Sequence, residues 1–157
     1  MAGEFGYMIV DGVGNNTSKY TSNKSASMKA LVDSVSRAKF MPREMLDSKK
    51  IFDMIENNDE KVIDIYNKWI NNLALTIYNL VYLFNPEAIL IGGGVSKQPR
   101  LIDDIKIRLY EIDKRTIEFV NIETCKFCND SGKIGAVYNY LFKNNKIDDL
   151  LLKNSIG

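Results

Sequence analysis

The sequence predicts an α/β domain, and three observations carry that reading. The first is the stretch Asn85-Pro-Glu-Ala-Ile-Leu-Ile-Gly-Gly-Gly-Val-Ser96. A turn pair leads there into an apolar run from Ala88 to Ile91, then Gly92, Gly93 and Gly94, and helical periodicity resumes at Leu101. Strand, glycine turn, helix is how α/β proteins bring bare backbone amides against a ligand, most often a phosphate or nucleotide. The second observation is the order helix, strand, helix, strand, helix in the later part of the chain, which argues for parallel pairing. The third is a long helical pattern that ends just before Pro86.

Each element has its own signal. Residues 1–11 read as a strand, with Phe5, Tyr7 and Ile9 alternating with Gly6, Met8 and Val10, closed by the turn pair Asp11-Gly12. Residues 12–27 are polar and read as a loop. A helix fits 27–39, with Met28, Leu31, Val32 and Val35 on one face and Ser27 as its cap, and Pro42 breaks it. A second helix fits 48–57 through Ile51, Phe52 and Ile55. The long pattern, 59–84, repeats apolar residues from Val62 to Val81 at three- and four-residue spacing. It must stop at Asn85, because a residue before proline is pushed out of the α region. A strand at 87–91, a helix at 101–113, a strand at 116–125 and a helix opened by Asp130-Ser131-Gly132 and running to 142 follow. Residues 147–152 suggest a last short helix. No repeat, low-complexity block or linker divides the chain.

Composition narrows the function. The 157 residues are 45% hydrophobic and 26% charged, the profile of one globular domain with a core large enough to fold. A formal net charge of +1 gives no electrostatic case for nucleic acid or an anionic membrane. The most apolar stretch, 69–84, is interrupted by Asn71, Asn72, Thr76 and Asn79, so a buried helix is expected and not a membrane span. The first residues lack a basic start and an apolar core, so no signal peptide is expected. Two cysteines are too few for a disulfide framework, which favours the cytoplasm. With no histidine, Ser-His-Asp, Cys-His and His-based zinc chemistry within the chain are excluded.

Several residues could carry chemistry. Gly92 to Gly94 read either as a nucleotide cradle or as a tight strand-to-helix connection, and their spacing matches neither the phosphate loop nor the dinucleotide fingerprint. Glu4, between Gly3 and Gly6, would accept hydrogen bonds from ligand hydroxyls in a close-fitting pocket; taken alone it reads as a solvated edge residue. Cys125-Lys-Phe-Cys128 resembles half a zinc site or a redox pair, but it sits at the end of a strand without further ligands, so inert thiols are expected. Tyr66, Trp69, Tyr78 and Tyr82, at helical spacing, are expected to pack in the core or between subunits. The charges of 47–61 read as a solvated helix face.

Order and spacing say more than any one motif. Ala2-Gly3-Glu4-Phe5-Gly6-Tyr7-Met8, Ser27-x-x-Ala30-Leu31, the 85–96 stretch and Asn129-Asp130-Ser131-Gly132-x-Ile134-Gly135-Ala136 closely resemble, in series, the C-terminal half of the ROK family of bacterial sugar kinases and sugar-responsive repressors. The resemblance spans essentially the whole chain. It implies the C-terminal lobe of the actin-like, ribonuclease-H-like ATPase fold with a helix-rich insertion, and a single domain over 1–157. It implies an ATP- and Mg-dependent sugar kinase in the cytoplasm, with helices that form a homodimer. Glu4 matches the family's sugar-binding glutamate, and Gly92, Gly93 and Gly94 match the turn that lies against the nucleotide. The segment 129–136 matches the lead into the last helix, whose role is structural.

The departures are informative as well. Tyr7 stands where family members commonly carry a histidine serving sugar and a structural zinc, and the cysteine cluster expected within 12–22 is missing. A zinc-free member is therefore expected. Asn23 falls where a second sugar-binding glutamate is common, which leaves Glu4, Tyr7 and Asn23 as candidate sugar contacts. The lobe carrying the phosphate-gripping glycine motif and the catalytic aspartate is not represented, so no catalytic residue is expected in the chain and the isolated chain should be inactive. Two rivals share the resemblance: the sugar-sensing lobe of a repressor, whose DNA contacts would come from an upstream winged helix, and a non-catalytic sugar-binding or dimerisation module.

Overall fold

The computed structural model describes residues 4–11, 20–127 and 130–144, and the architecture over them is a helical layer on one side of a small parallel sheet. The helices are α1 (Ser22–Ser25), α2 (Met28–Lys39), α3 (Ser48–Glu56), α4 (Glu60–Phe84), α5 (Leu101–Ile112), α6 (Thr116–Phe119) and α7 (Ser131–Lys143). The strands are β1 (Ala88–Ile91) and β2 (Asn121–Thr124).

Caps set the helix ends where the sequence places them. Ser27 Oγ accepts from the Ala30 amide at 3.2 Å, Asp47 Oδ1 from Lys50 at 2.8 Å and Asp59 Oδ1 from Val62 at 3.3 Å. Each satisfies an amide that the first helical turn leaves open. At the far end of α4, Asn85 adopts a left-handed conformation (φ 43°, ψ 54°) and donates its amide to Val81 O, as a chain must that cannot continue helically into Pro86.

The long helix α4 is the centre of the core. Val62, Tyr66, Trp69, Ile70, Ala74, Ile77 and Val81 are buried along it, packed by Leu31 and Val35 of α2, Ile51 and Phe52 of α3, and Ile105 and Leu109 of α5. Tyr66 and Trp69 are core residues, as their spacing predicts. Each keeps a partner for its polar tip: Tyr66 Oη donates to Asp104 Oδ2 at 2.7 Å, and Trp69 Nε1 to Ser27 O at 2.9 Å. Burial, reinforced by the Asp104 carboxylate, pushes the Tyr66 hydroxyl far above its ordinary range. Tyr78 is half-buried, and Tyr82 is exposed.

β1 and β2 pair in parallel with Ala88 opposite Asn121 and Ile91 opposite Thr124, joined by the crossover through α5 that parallel pairing requires. One face of the sheet packs through Ile89, Ile91 and Ile122 onto the helices, while Leu90 on the other face is 59% exposed. Parallel sheets are ordinarily covered on both faces. The described α7 side chains are exposed apart from the half-buried Leu141, among them Val137, Tyr138, Tyr140 and Phe142.

Three expectations about elements change. Residues 4–11 form a 3-10 turn, Phe5–Tyr7, and a single antiparallel bridge from Ile9 to Thr21, not a strand. Among the described residues, the alternating Phe5, Tyr7 and Ile9 have no layer against which to bury and stay exposed. Within the expected loop, 20–27 contains α1, held by Ser25 Oγ donating to Thr21 O at 2.7 Å. In the expected strand 116–125, the first part is instead the helical turn α6, because Thr116 is drawn into the core behind Asp113 and only 121–124 reaches β1. The helix expected at 147–152 lies outside the described residues.

Candidate functional site

Two segments distant in sequence form the first part of the site. The turn Phe5–Tyr7 packs against α1, and the Asn23 side chain lies directly on Gly6. A β-carbon at Gly6 would meet Asn23 Oδ1 at 2.3 Å and Nδ2 at 2.5 Å, so the bare glycine is what lets the Asn23 side chain rest in this position. Glu4 and Tyr7 flank that contact. Glu4 O accepts the Tyr7 amide at 3.2 Å, which closes the turn, and both side chains are exposed, Tyr7 by 71%. The fold thus brings Asn23 of one segment onto the turn of another segment that Glu4 precedes and Tyr7 ends.

Asn23 is held from both sides. Before it, Ser22 Oγ and Thr76 Oγ1 are hydrogen-bonded at 2.9 Å in the buried interior, and Thr76 Oγ1 also donates to Asn72 O at 2.9 Å. After it, Ser27 Oγ donates to Asn23 O, and Ser27 O accepts the Trp69 indole. Ser22, Thr76 and Trp69 thus fix α1 onto α4. Sequence reasoning assigned none of them this role, since Ser22 and Thr76 lie 54 positions apart and carry no motif. The cap at Ser27 was the one legible sign that the chain is pinned here. Asn23 also borders an open groove of about 810 Å³ with Lys24, Ser27, Lys29, Asp33 and Arg37, in which Asp33 Oδ1 lies 2.8 Å from Arg43 Nε.

The glycine turn forms a second, separate surface. Gly93 has φ 86° and ψ −176°, a conformation essentially reserved for glycine, and nothing lies within 4 Å of where its β-carbon would be. The backbone there is bare and open, which fits a flat ligand lying against it. Gly92 is backed by Cys125, whose Sγ would lie 3.3 Å from a β-carbon at Gly92. Gly94 O faces Ser48 Oγ at 3.4 Å, and Val95 and Ser96 are buried behind the turn. Ser96 Oγ donates to Gly93 O at 2.7 Å and so fixes the peptide.

Cys125 directly follows β2 as a half-buried free thiol, and Cys128 lies outside the described residues, as do Gly3 and Asn129. Among the described residues no group of three or more Cys, Asp or Glu side chains is placed to hold a metal ion, and no helix is long and apolar enough to cross a membrane.

The chain is similar in sequence and in fold to known proteins. A β-glucoside kinase of Listeria innocua is 33% identical over 147 residues, covering 92% of this chain and 49% of that protein. The Lmo2764 protein of Listeria monocytogenes superposes with a TM-score of 0.78 at 31% identity, over 91% of this chain and 48% of that one. A ROK family glucokinase of Streptomyces griseus, solved with glucose and AMPPNP, has the same fold over 86% of this chain and 50% of its own, at a TM-score of 0.68 and 21% identity. The chain spans about half the length of the curated relatives it matches. The ROK family model matches residues 1–144, and the chain belongs to the ROK family.

Proposed function

We propose that the chain is the C-terminal lobe of a zinc-independent sugar kinase, which in the complete protein transfers the γ-phosphoryl group of ATP to a sugar hydroxyl. The carrying observation is the seat of Asn23 on Gly6 between Glu4 and Tyr7, which gathers the candidate sugar contacts from two segments. Glu4 would accept hydrogen bonds from sugar hydroxyls, Asn23 would donate and accept beside it, and Tyr7 would close one side. Gly92, Gly93 and Gly94 would border the adenosine, where the open backbone at Gly93 admits a planar ligand. In the complete protein ATP would supply the phosphoryl group, with Mg²⁺ supplying charge neutralisation in the transfer. The attacking hydroxyl also needs a base near it, and that residue would come from the other half of the protein.

The uncovered face of the β1–β2 sheet and the apolar side chains of α7 support a lobe that meets further protein. The relatives named as β-glucoside kinases support a glucoside or glucose-like acceptor. The test is Glu4→Gln in the complete protein. Sugar affinity is expected to fall on the order of tenfold or more while nucleotide affinity holds, the cost of removing a charged acceptor. Unchanged sugar affinity would refute the role given to Glu4.

A further inference from the structure

The groove of about 810 Å³ beside Asn23 carries a charge unlike that of the chain as a whole. Over the whole sequence 21 basic residues stand against 20 acidic ones. Around this groove stand three cations, Lys24 of α1 and Lys29 and Arg37 of α2, with one carboxylate, Asp33. Lys29, Asp33 and Arg37 recur every four residues and so form one stripe along α2, to which α1 adds Lys24. The Asp33 charge is already met by Arg43, whose Nε lies 2.8 Å from Oδ1. Arg37 donates to the neutral Ser34 Oγ at 3.3 Å, and among the described residues none of the three groove cations forms an ion pair. Ser27 and Ala30 bring in the first turn of α2, the end at which a helix carries partial positive charge, and no acidic residue stands in that turn to offset it. A concave surface of one sign concentrates its field and draws in the opposite charge.

We infer that this groove receives an anionic group carried by the acceptor sugar, so that anionic glucosides are the preferred substrates. The inference rests on the sugar-kinase reading above and adds to it the class of acceptor. Asn23 makes the connection, because it borders the groove and also rests on Gly6 of the Phe5–Tyr7 turn. A sugar ring held at Asn23 leaves the groove to whatever is attached to that ring. The groove lies within the range of about 300–1,000 Å³ in which small-molecule sites ordinarily fall, so it has room for such a substituent. The Arg37 guanidinium can grip an anionic oxygen pair through two N–H donors, and the two ammonium groups add point charges on flexible stems. A neutral substituent would leave those charges to water alone.

Cellobionate and cellobiitol test this, since both carry a glucosyl unit on an open polyol chain and differ only in a terminal carboxylate against a hydroxymethyl group. Calorimetry on the complete protein without nucleotide is expected to show cellobionate binding more tightly on the order of tenfold, the worth of a charge-assisted hydrogen bond. That preference should shrink as salt rises from about 0.05 M to about 0.5 M. It should vanish in Lys29→Gln/Arg37→Gln and reverse in Lys29→Glu/Arg37→Glu. Both side chains are exposed, so the fold should survive; if a variant fails to fold, the salt titration of the wild type decides. Glu4→Gln should weaken both ligands alike and keep their ratio. Equal affinity for the two ligands in the wild type, or a preference untouched by salt and by both double variants, would overturn the anionic acceptor while leaving the sugar surface standing. Inorganic phosphate bound as tightly as cellobionate would show an anion held without the sugar and would also overturn it. Binding of neither ligand, or Glu4→Gln without effect on either, would overturn the sugar surface itself and this inference with it.

Discussion

The Asn23 side chain rests on Gly6 so closely that a β-carbon at Gly6 would stand 2.3 Å from Asn23 Oδ1. The obstructing atoms belong to a short side chain that can swing away, not to backbone. Gly6→Ala should therefore displace Asn23 more than it unfolds the chain. Chemical denaturation should change by less than about 1 kcal/mol, since alanine also restricts the unfolded state. Sugar affinity in the complete protein should fall on the order of tenfold, about one hydrogen bond. Equal affinity in Gly6→Ala and wild type, measured by calorimetry, would remove Asn23 from the sugar surface.

The glycine turn makes a sharper prediction, because its three members differ. Gly93→Ala forces a β-carbon into a conformation reserved for glycine and should cost about 1–3 kcal/mol in urea unfolding, or shift the turn and weaken nucleotide binding. Gly94→Ala, whose nearest neighbour would be Ser48 Oγ at 4.0 Å, should be tolerated in stability. Gly92→Ala should fall between them, as Cys125 Sγ at 3.3 Å must give way. Equal effects at Gly93 and Gly94 would contradict the strained geometry.

Asp113 predicts an acid limit to stability. Arg115 clasps its carboxylate, Nη2 to Oδ2 at 2.7 Å and Nε to Oδ1 at 3.0 Å, and the Arg115 amide adds a third bond at 3.0 Å. These hold the Asp113 carboxyl far below the usual carboxylate range. The unfolded chain, titrating near its ordinary value of about 3.9, takes up its proton first as pH falls. Asp113 stabilisation is thus complete above about pH 5 and is lost progressively as pH falls through the unfolded value towards the folded one. The wild type should exceed Asp113→Asn in urea midpoint at about pH 6, with the difference shrinking below about pH 4. A difference that stays constant over that range would show that the clasp adds no pH-dependent stability.

The family, the α/β class and most helices were legible because their causes are local. Ser27, Asp47 and Asp59 cap helices that begin where the apolar period begins, and Pro86 stops α4 whatever packs around it. Gly92 to Gly94 marked a turn from composition alone. The reading failed where a local pattern lacked its tertiary partner. Phe5, Tyr7 and Ile9 alternate like a strand, yet no neighbouring strand is present among the described residues to pair with more than one bridge. Thr116 to Phe119 reads as β from its residue types, but anchoring behind Asp113 turns it into a helix.

By itself, the sequence determined which residues could form helices and which family pattern they follow, since propensity, capping and motif order are properties of neighbours along the chain. Only the tertiary structure decided that Asn23 sits on Gly6 and that Ser22 and Trp69 tie α1 to α4. Those relationships join residues tens of positions apart. They exist because burying one face of α4 brings α1, α2 and the Phe5–Tyr7 turn to a common surface, and no local signal encodes where separate segments meet.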